Sequence, residues 1–576
     1  MSGLHSVSRT FASFGSAALL ASLVACSAGG GAENQARGGN SSGGNSPGSG
    51  GGSGGSATGT GGNMSGGAGS RSGGLEELLE TCDASAIGKP QLRRLTRGEL
   101  QRTLDDIFPQ VKGKWTVSIA EAESALGFDN DPAVLTVGGQ VAGKLLDTAT
   151  ALATALIADD VLPQVLPCAS AGNHACAQTF LDQFGKRLFR RPLTQADQDR
   201  YLSFFDARLA ASDFKTALKW LTIGLIQSPH AIYRREVGTL SGSEYQLTPH
   251  EIAGELAYMF TGSTPTAELL AQADAGQLDT PEHLTAIAGQ LLATPAGQDT
   301  LQRFFKGWLS YDQLPSTLPN VSGFAAVAPD MVQETQAFIK QTMLTDRGGL
   351  KELLTASYTT PSQALSSFYG LPAPDSNYAK VERPAGRGIG VLAQGSLIVA
   401  HSHEAASSPT LRGLLVFERL LCGVRPQVPA NVPTLVAPSP GVKTTRQRYE
   451  EQHISAGGAC PTCHKLFDPL GFGFEHYDEA GRYREQEQGL AIDSSGSLVD
   501  GGSTLFSFSG LDELAKNLSE QQKVGLCSSG YVNAYAFANA VACLGETRRA
   551  DFISGKLGFI DYYASLAAEP SFTRRK

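Results

Sequence analysis

"TRGELQRTLDDIF", residues 96–108, decides how the folded part of this chain is to be read. Thr96 can accept a hydrogen bond from the backbone N–H of Glu99, and the Glu99 carboxylate can reach back to the N–H of Thr96. That reciprocal capping box marks the start of a helix. The pattern recurs at Thr194 with Asp197 and at Thr248 with Glu251, while Thr280-Pro281 and Ser408-Pro409 set a capping hydroxyl before a proline at the first helical position. Leu145, Leu152 and Leu156 keep helical spacing along one face and are expected in a core. Strand signals are sparse. "GIGVLAQGSLIV" (388–399) and "LVDGGSTLFSF" (498–508) are the two candidates, and their alternation is poor. The expected fold class is mainly α, multidomain, with few short strands.

The N-terminus bears on compartment. Residues 1–10 carry no acid, and residues 11–25 form an apolar run too short to span a bilayer, as in an export signal. The run ends in Leu23-Val24-Ala25-Cys26, which resembles the lipobox of bacterial lipoproteins and makes Cys26 the expected lipidation site. Ser27 rather than Asp follows, which in that resemblance implies the outer membrane or cell surface. Up to about residue 74 the chain is nearly all Gly, Ser, Asn and Ala, too poor in apolar groups to fold. Such a tether has a root-mean-square reach of roughly 40 Å. The expected organisation is a signal peptide (1–25), lipidated Cys and linker (26–74), helical units at 75–170, 171–240 and 241–380, a haem-attachment segment (381–485) and a helical C-terminal unit (486–576).

The formal net charge is −9, with Lys and Arg scattered. Phosphate neutralisation needs a concentrated basic face, so nucleic acid is not an expected partner. Of nine cysteines, Cys26 is assigned to lipid and Cys460 with Cys463 to a motif treated next. The other six suit an exported, oxidising setting and up to three disulfides. Cys168 and Cys176 are the expected pair from proximity; the pairing of Cys82, Cys422, Cys527 and Cys543 stays open.

Cys460-Pro-Thr-Cys463-His464 carries the main chemistry. Two thiols three residues apart on one helical turn can each add to a vinyl group of the same porphyrin, and the adjacent imidazole can then reach its iron. The reading is one covalent haem c held by Cys460, Cys463 and His464. Two others stand beside it: zinc held by Cys460, Cys463, His464 and His476, or a plain disulfide between the two cysteines. No Met follows Met343, so a distal iron ligand would have to be a histidine. His453 is the favoured candidate and His401 the runner-up, with His403 beside it and His476 awkwardly close to the proximal position. The acidic residues of "DPLGFGFEHYDEAGRYRE" (468–485) are expected to support the site or to be surface charges. The oxygen-rich turns Asp129-Asn130-Asp131 and Asp493 to Gly496 read as ordinary turns, because neither continues into a closed calcium loop.

"LRRLTRGELQRTLDDIF", "FLDQFGKRLFRRPLT", "LIQSPHAIYRRE", "YQLTPHEIAGELAYMFTGSTP", "SSPTLRGLLVFERLLC" and "CPTCHKLFDPLGFGFEHYDEAGRYRE" resemble successive modules of one multidomain family. Its members are large exported proteins of planctomycetes and myxobacteria, built from consecutive domains of unknown function and ending in a cytochrome-c-like segment. The resemblance implies a histidine before the attachment motif, matched by His453, and a "DPLGF" after it, matched by Asp468 to Phe472. Two positions depart from the pattern. His476 stands where members often have Asn, and Gly545-Glu546 where they commonly have Gly-Arg.

The function expected is extracytoplasmic electron transfer by a lipid-anchored haem protein, with a redox partner protein and a surface polymer or glycan as the expected partners. An enzymatic alternative is a haem peroxidase or oxygenase with an open distal iron site. A third reading is a haem-free surface binding protein whose CxxCH is structural.

Overall fold

The computed structural model describes residues 87–120, 126–316, 319–427, 441–455, 460–538 and 546–576. Cys26, the linker, Cys82 and Cys543 lie outside them. The chain is mainly α-helical with a few short antiparallel strands. Among the described residues no helix is long and apolar enough to cross a membrane.

Strand β1 (Gln91–Arg94) leads into helix α1 (Arg97–Ile107), whose N-terminus carries the expected Thr96/Glu99 box. Helices α2 (Gly139–Leu156), α3 (Gln195–Ala211) and α4 (Phe214–Ile226) follow, α3 opening on the Thr194/Asp197 box. Leu145, Leu152 and Leu156 are buried on α2 as their spacing predicts. These elements share one hydrophobic core running from Leu95 to Ile232 and joined by Tyr258. The Cys168–Cys176 disulfide forms beside it.

Strand β2 (Tyr233–Glu236) returns to pair with β1, Gln91 opposite Glu236 and Arg94 opposite Tyr233. The pairing buries a knot of charges. Arg93 Nε lies 3.1 Å from Glu236 Oε1, Arg234 Nη2 lies 2.9 Å from Glu255 Oε1, and Arg575 Nη2 donates to Glu236 Oε2 at 3.0 Å. Buried carboxylates are tolerated only when paired in this way.

A second and larger core takes residues from Leu247 to Phe572, together with Phe128. Helix α5 (Pro249–Thr261) begins it on the Thr248/Glu251 box, and α6 (Pro281–Ala293) opens on Thr280 with Pro281 at its first position. Helix α7 (Pro295–Leu309) supplies Phe304, Phe305 and Trp308 to its centre. The Asp129-Asn130-Asp131 turn is used as a clasp: Asn130 Nδ2 donates to the Tyr535 carbonyl at 2.7 Å, and the neighbouring Phe128 ring packs on Phe304 and Tyr535. The expected boundary near residue 170 falls inside the first core and those near 380 and 485 fall inside the second, so none of the three separates cores.

Residues 388–399 correct one expectation. They form a short 3-10 turn and then helix α8 (Gly395–Ala400), not a strand. Val391 to Val399 are buried throughout, so the run needs no alternation, and apolar runs of this length do not distinguish helix from strand. Helix α9 (Pro409–Leu414) starts on Ser408 with Pro409 at its first position, as expected. Helix α10 (Thr445–Tyr449) continues through a wider turn at Glu450–Ile454, and helix α11 spans Cys460–Gly471. Strands β3 (Ser495–Asp500) and β4 (Ser503–Ser509) form the second expected strand segment as a hairpin. Helices α12 (Gly510–Ser519) and α13 (Gln522–Phe537) close the core, and Cys527 of α13 is disulfide-bonded to Cys422.

Glycines set the distance between α9 and α11. A β-carbon on Gly413 would stand 1.9 Å from the Phe467 carbonyl oxygen, and one on Gly471 would stand 1.8 Å from that of Pro409. The hairpin meets α11 in the same way, since a β-carbon on Gly496 would come within 2.2 Å of the Pro469 carbonyl oxygen. Neither helix can yield without disturbing packed neighbours. Gly413→Ala is therefore expected to cost about 2 kcal/mol or more, read as a fall in the urea midpoint; an unchanged midpoint would show that the two backbones are free to separate.

Candidate haem and metal centre

The α9–α11 contact positions the candidate site. Helix α11 presents Cys460 and Cys463 on its first turn, both half-buried and neither in a disulfide. His464 follows, and Asp468 lies one helical turn further on the same face. His464 Nδ1 is 3.0 Å from Asp468 Oδ2, and His453, at the end of the turn after α10, places its own Nδ1 3.2 Å from the same oxygen. Thr410 of α9 donates its hydroxyl to Asp468 Oδ1 at 2.7 Å, and its oxygen lies 3.4 Å from His464 Nδ1. The three groups are buried, Asp468 completely and His453 and His464 to 9 % and 6 % exposure.

The two imidazoles lie against each other, with ring centroids 4.0 Å apart and planes inclined by 33°. Tyr449 meets His453 edge-on, and Phe467 meets His464. Burial acts to raise the Asp468 carboxyl, but hydrogen bonds from His453, His464 and Thr410 outweigh it and hold the group below the ordinary carboxylate range. Asp468 is thus an anion shared by two histidines.

The other histidines are placed elsewhere. His401 caps α8, with Nδ1 2.8 Å from the Leu397 carbonyl, and desolvation pushes it down to about 4, with Arg419 and Arg412 adding to the effect. His403 bridges to Ala406. His476 has Nδ1 2.8 Å from the Arg484 carbonyl and stacks on Tyr483, so it takes no part in the cluster with Cys460, Cys463 and His464 that a zinc reading requires. Among the described residues the group that could hold a metal ion is His453, His464 and Asp468, whose ligand atoms all lie within 4.8 Å of one another.

Behind the site, Arg412 of α9 holds the frame. Its guanidinium donates to the carbonyls of Phe474, Tyr477 and Asp478 and to Ser402 Oγ. Glu475 stands 3.8 Å from Arg412 and 3.8 Å from Arg484, and accepts from Ser407. Desolvation dominates there and pushes the Glu475 carboxyl up to about 7 despite both arginines. The Asp493 turn is an ordinary one, capping the Ser495 N–H at 2.9 Å and pairing with Arg446 at 3.1 Å.

Sequence reasoning located both thiols, His464 and His453, and expected a supporting role for acids after the motif. Spacing marks Asp468 as the residue four after His464 on one helix. It gives no sign of Thr410, which arrives from a helix 58 residues away.

Four family matches cover consecutive parts of the chain: PSD3, a protein of unknown function (DUF1587), over residues 93–158; PSD5 (DUF1595) over 176–236; PSD4 (DUF1592) over 247–371; and PSCyt3 (DUF1588) over 387–487. The chain is a multidomain protein built from modules of unknown function. Neither the curated proteins nor the solved structures give a match. Every side chain of the site described above lies within the PSCyt3 segment.

A carboxyl with a folded pKa of about 7, against an ordinary value near 4.5, binds its proton more tightly in the folded state. Its contribution to stability is then full below about pH 4.5 and is lost as pH rises to about 7. Glu475→Gln is expected to match the parent at pH 4.5 and to exceed it at pH 8, by up to about 3 kcal/mol. Urea midpoints at the two pH values check this, and a constant difference between the proteins would remove Glu475 as the cause.

Proposed function

We propose that the chain is an exported lipoprotein, anchored through Cys26, that carries one covalent haem c and passes single electrons to a partner protein outside the cytoplasm. The observation that carries this reading is the state of the CxxCH turn. Cys460 and Cys463 are half-buried on the first turn of α11 and in no disulfide, next to a histidine whose Nδ1 is already engaged by Asp468. With Nδ1 held, Nε2 of His464 is left as the nitrogen for iron, which is the usual way a carboxylate fixes a ligating imidazole. The donor set fits the group, and the "Cyt" in the name of the matching family agrees with it. Bound there, a haem supplies a one-electron couple.

The chain's own residues divide the remaining work. Cys460 and Cys463 would form the thioethers, Asp468 and Thr410 orient His464, and the Gly413 and Gly471 contacts keep Thr410 within reach of Asp468. His453 is the candidate for the distal position, with His401 behind it. As placed, His453 fans out from the same carboxylate oxygen as His464 and lies ring against ring with it. Distal ligation by His453 therefore requires its turn to swing away from His464.

That arrangement also favours a second reading, a haem whose distal side is open to peroxide or dioxygen. The spin state separates the two. A redox partner, implied by a haem that relays one electron at a time, the outer-membrane or surface location, implied by the expected export signal and lipobox, and contact with a surface polymer or glycan belong to the proposal.

The test is expression of the mature chain in a periplasm with cytochrome c maturation, followed by a denaturing gel stained for haem and an absorption spectrum. Covalent stain is expected in the parent and is lost when both Cys460 and Cys463 are changed to Ser. Low-spin ferric iron that becomes high-spin in His453→Ala would assign the distal ligand and support electron transfer. High-spin iron in the parent would support the open-site enzyme, and a colourless parent would end both readings.

A further inference from the structure

The haem reading uses the Nε2 edge of His464 and leaves the opposite edge of the same ring facing a second set of donors. Two ligand atoms held about 2.0–2.2 Å from one ion, at octahedral or tetrahedral angles, stand about 3.0–3.4 Å apart. The separations found are 3.2 Å from His453 Nδ1 to Asp468 Oδ2 and 3.0 Å from His464 Nδ1 to the same oxygen. The ligand atoms of all three residues lie within 4.8 Å of one another, and all three residues are buried. Two imidazoles and one carboxylate on one face of an ion form a donor set for divalent first-row transition metals that leaves coordination positions open.

We propose that His453 Nδ1, His464 Nδ1 and Asp468 Oδ2 bind one divalent transition-metal ion in the haem-free chain. Thr410 supports the site by donating to the second carboxylate oxygen, Oδ1, which fixes the carboxylate plane and leaves Oδ2 for the ion. Binding displaces the protons that now join each imidazole to the carboxylate, so metal uptake releases protons. The thiols of Cys460 and Cys463 are not needed, which separates this site from a thiolate zinc site and lets the inference be tested on chain to which no haem has been attached.

The test uses the full mature chain, produced without cytochrome c maturation, stripped with chelator and titrated with Co(II) and with Zn(II). Alkylation of the native protein with iodoacetamide, disulfides intact, blocks Cys460 and Cys463 without a substitution. One equivalent of metal is expected to bind before and after alkylation, with Co(II) absorption bands of nitrogen and oxygen ligands and no thiolate charge-transfer band. His453→Ala and Asp468→Asn are each expected to weaken binding by about a hundredfold or more, with the helical circular dichroism of the parent retained. Absence of binding at millimolar Co(II) would overturn the proposal. So would a metal lost on alkylation and retained in His453→Ala, which would give the ion to the thiolates. Haem attachment is scored separately, by the stained gel on matured protein, so either idea can fail while the other stands.

Discussion

The candidate centre depends on two helices touching backbone to backbone. Gly413 on α9 and Gly471 on α11 leave no room for a β-carbon, and through that contact Thr410 comes within hydrogen-bond distance of Asp468. Asp468 in turn holds both histidines. Burying a carboxylate this completely is costly unless hydrogen bonds offset it, and here three side chains do so. The order of dependence runs from glycine contact to threonine, from threonine to aspartate, and from aspartate to the imidazoles. Arg412 secures the same helix from behind, tying α9 to the chain at Ser402 and at Phe474 to Asp478.

Local signals in the sequence were reliable where the interaction itself is local. The capping boxes at Thr96, Thr194 and Thr248 form as read, because both partners sit within four residues of one another. Cys168 and Cys176 pair across eight residues. The mainly helical class follows from many such local signals. Residues 388–399, a strand candidate with poor alternation, are helical instead, because full burial removes the alternation that separates the two kinds of element.

Long-range arrangements were legible only in part. Histidine and aspartate at His464 and Asp468 share a helix face that spacing alone reveals, whereas Thr410 and the placement of His453 against the His464 ring depend on packing. The Cys422–Cys527 bond, spanning 105 residues, has no local signature either. Segment boundaries read from proline and glycine mark changes along the chain, and the two main cores ignore several of them.

The buried charge knot at β1 and β2 has a consequence for the order of assembly. Glu236 is held by Arg93 from 143 residues upstream in the numbering and by Arg575 from 339 residues downstream. Until the segment carrying Arg575 docks, Glu236 Oε2 has the Gln91 amide but no cation, and the enclosure seen in the complete fold is unfinished. Contacts between such distant segments form slowly, because loop closure has to precede any gain. The first core can therefore collapse early as the chain emerges, but it is expected to mature only when the last segment docks, making that docking a late checkpoint in folding.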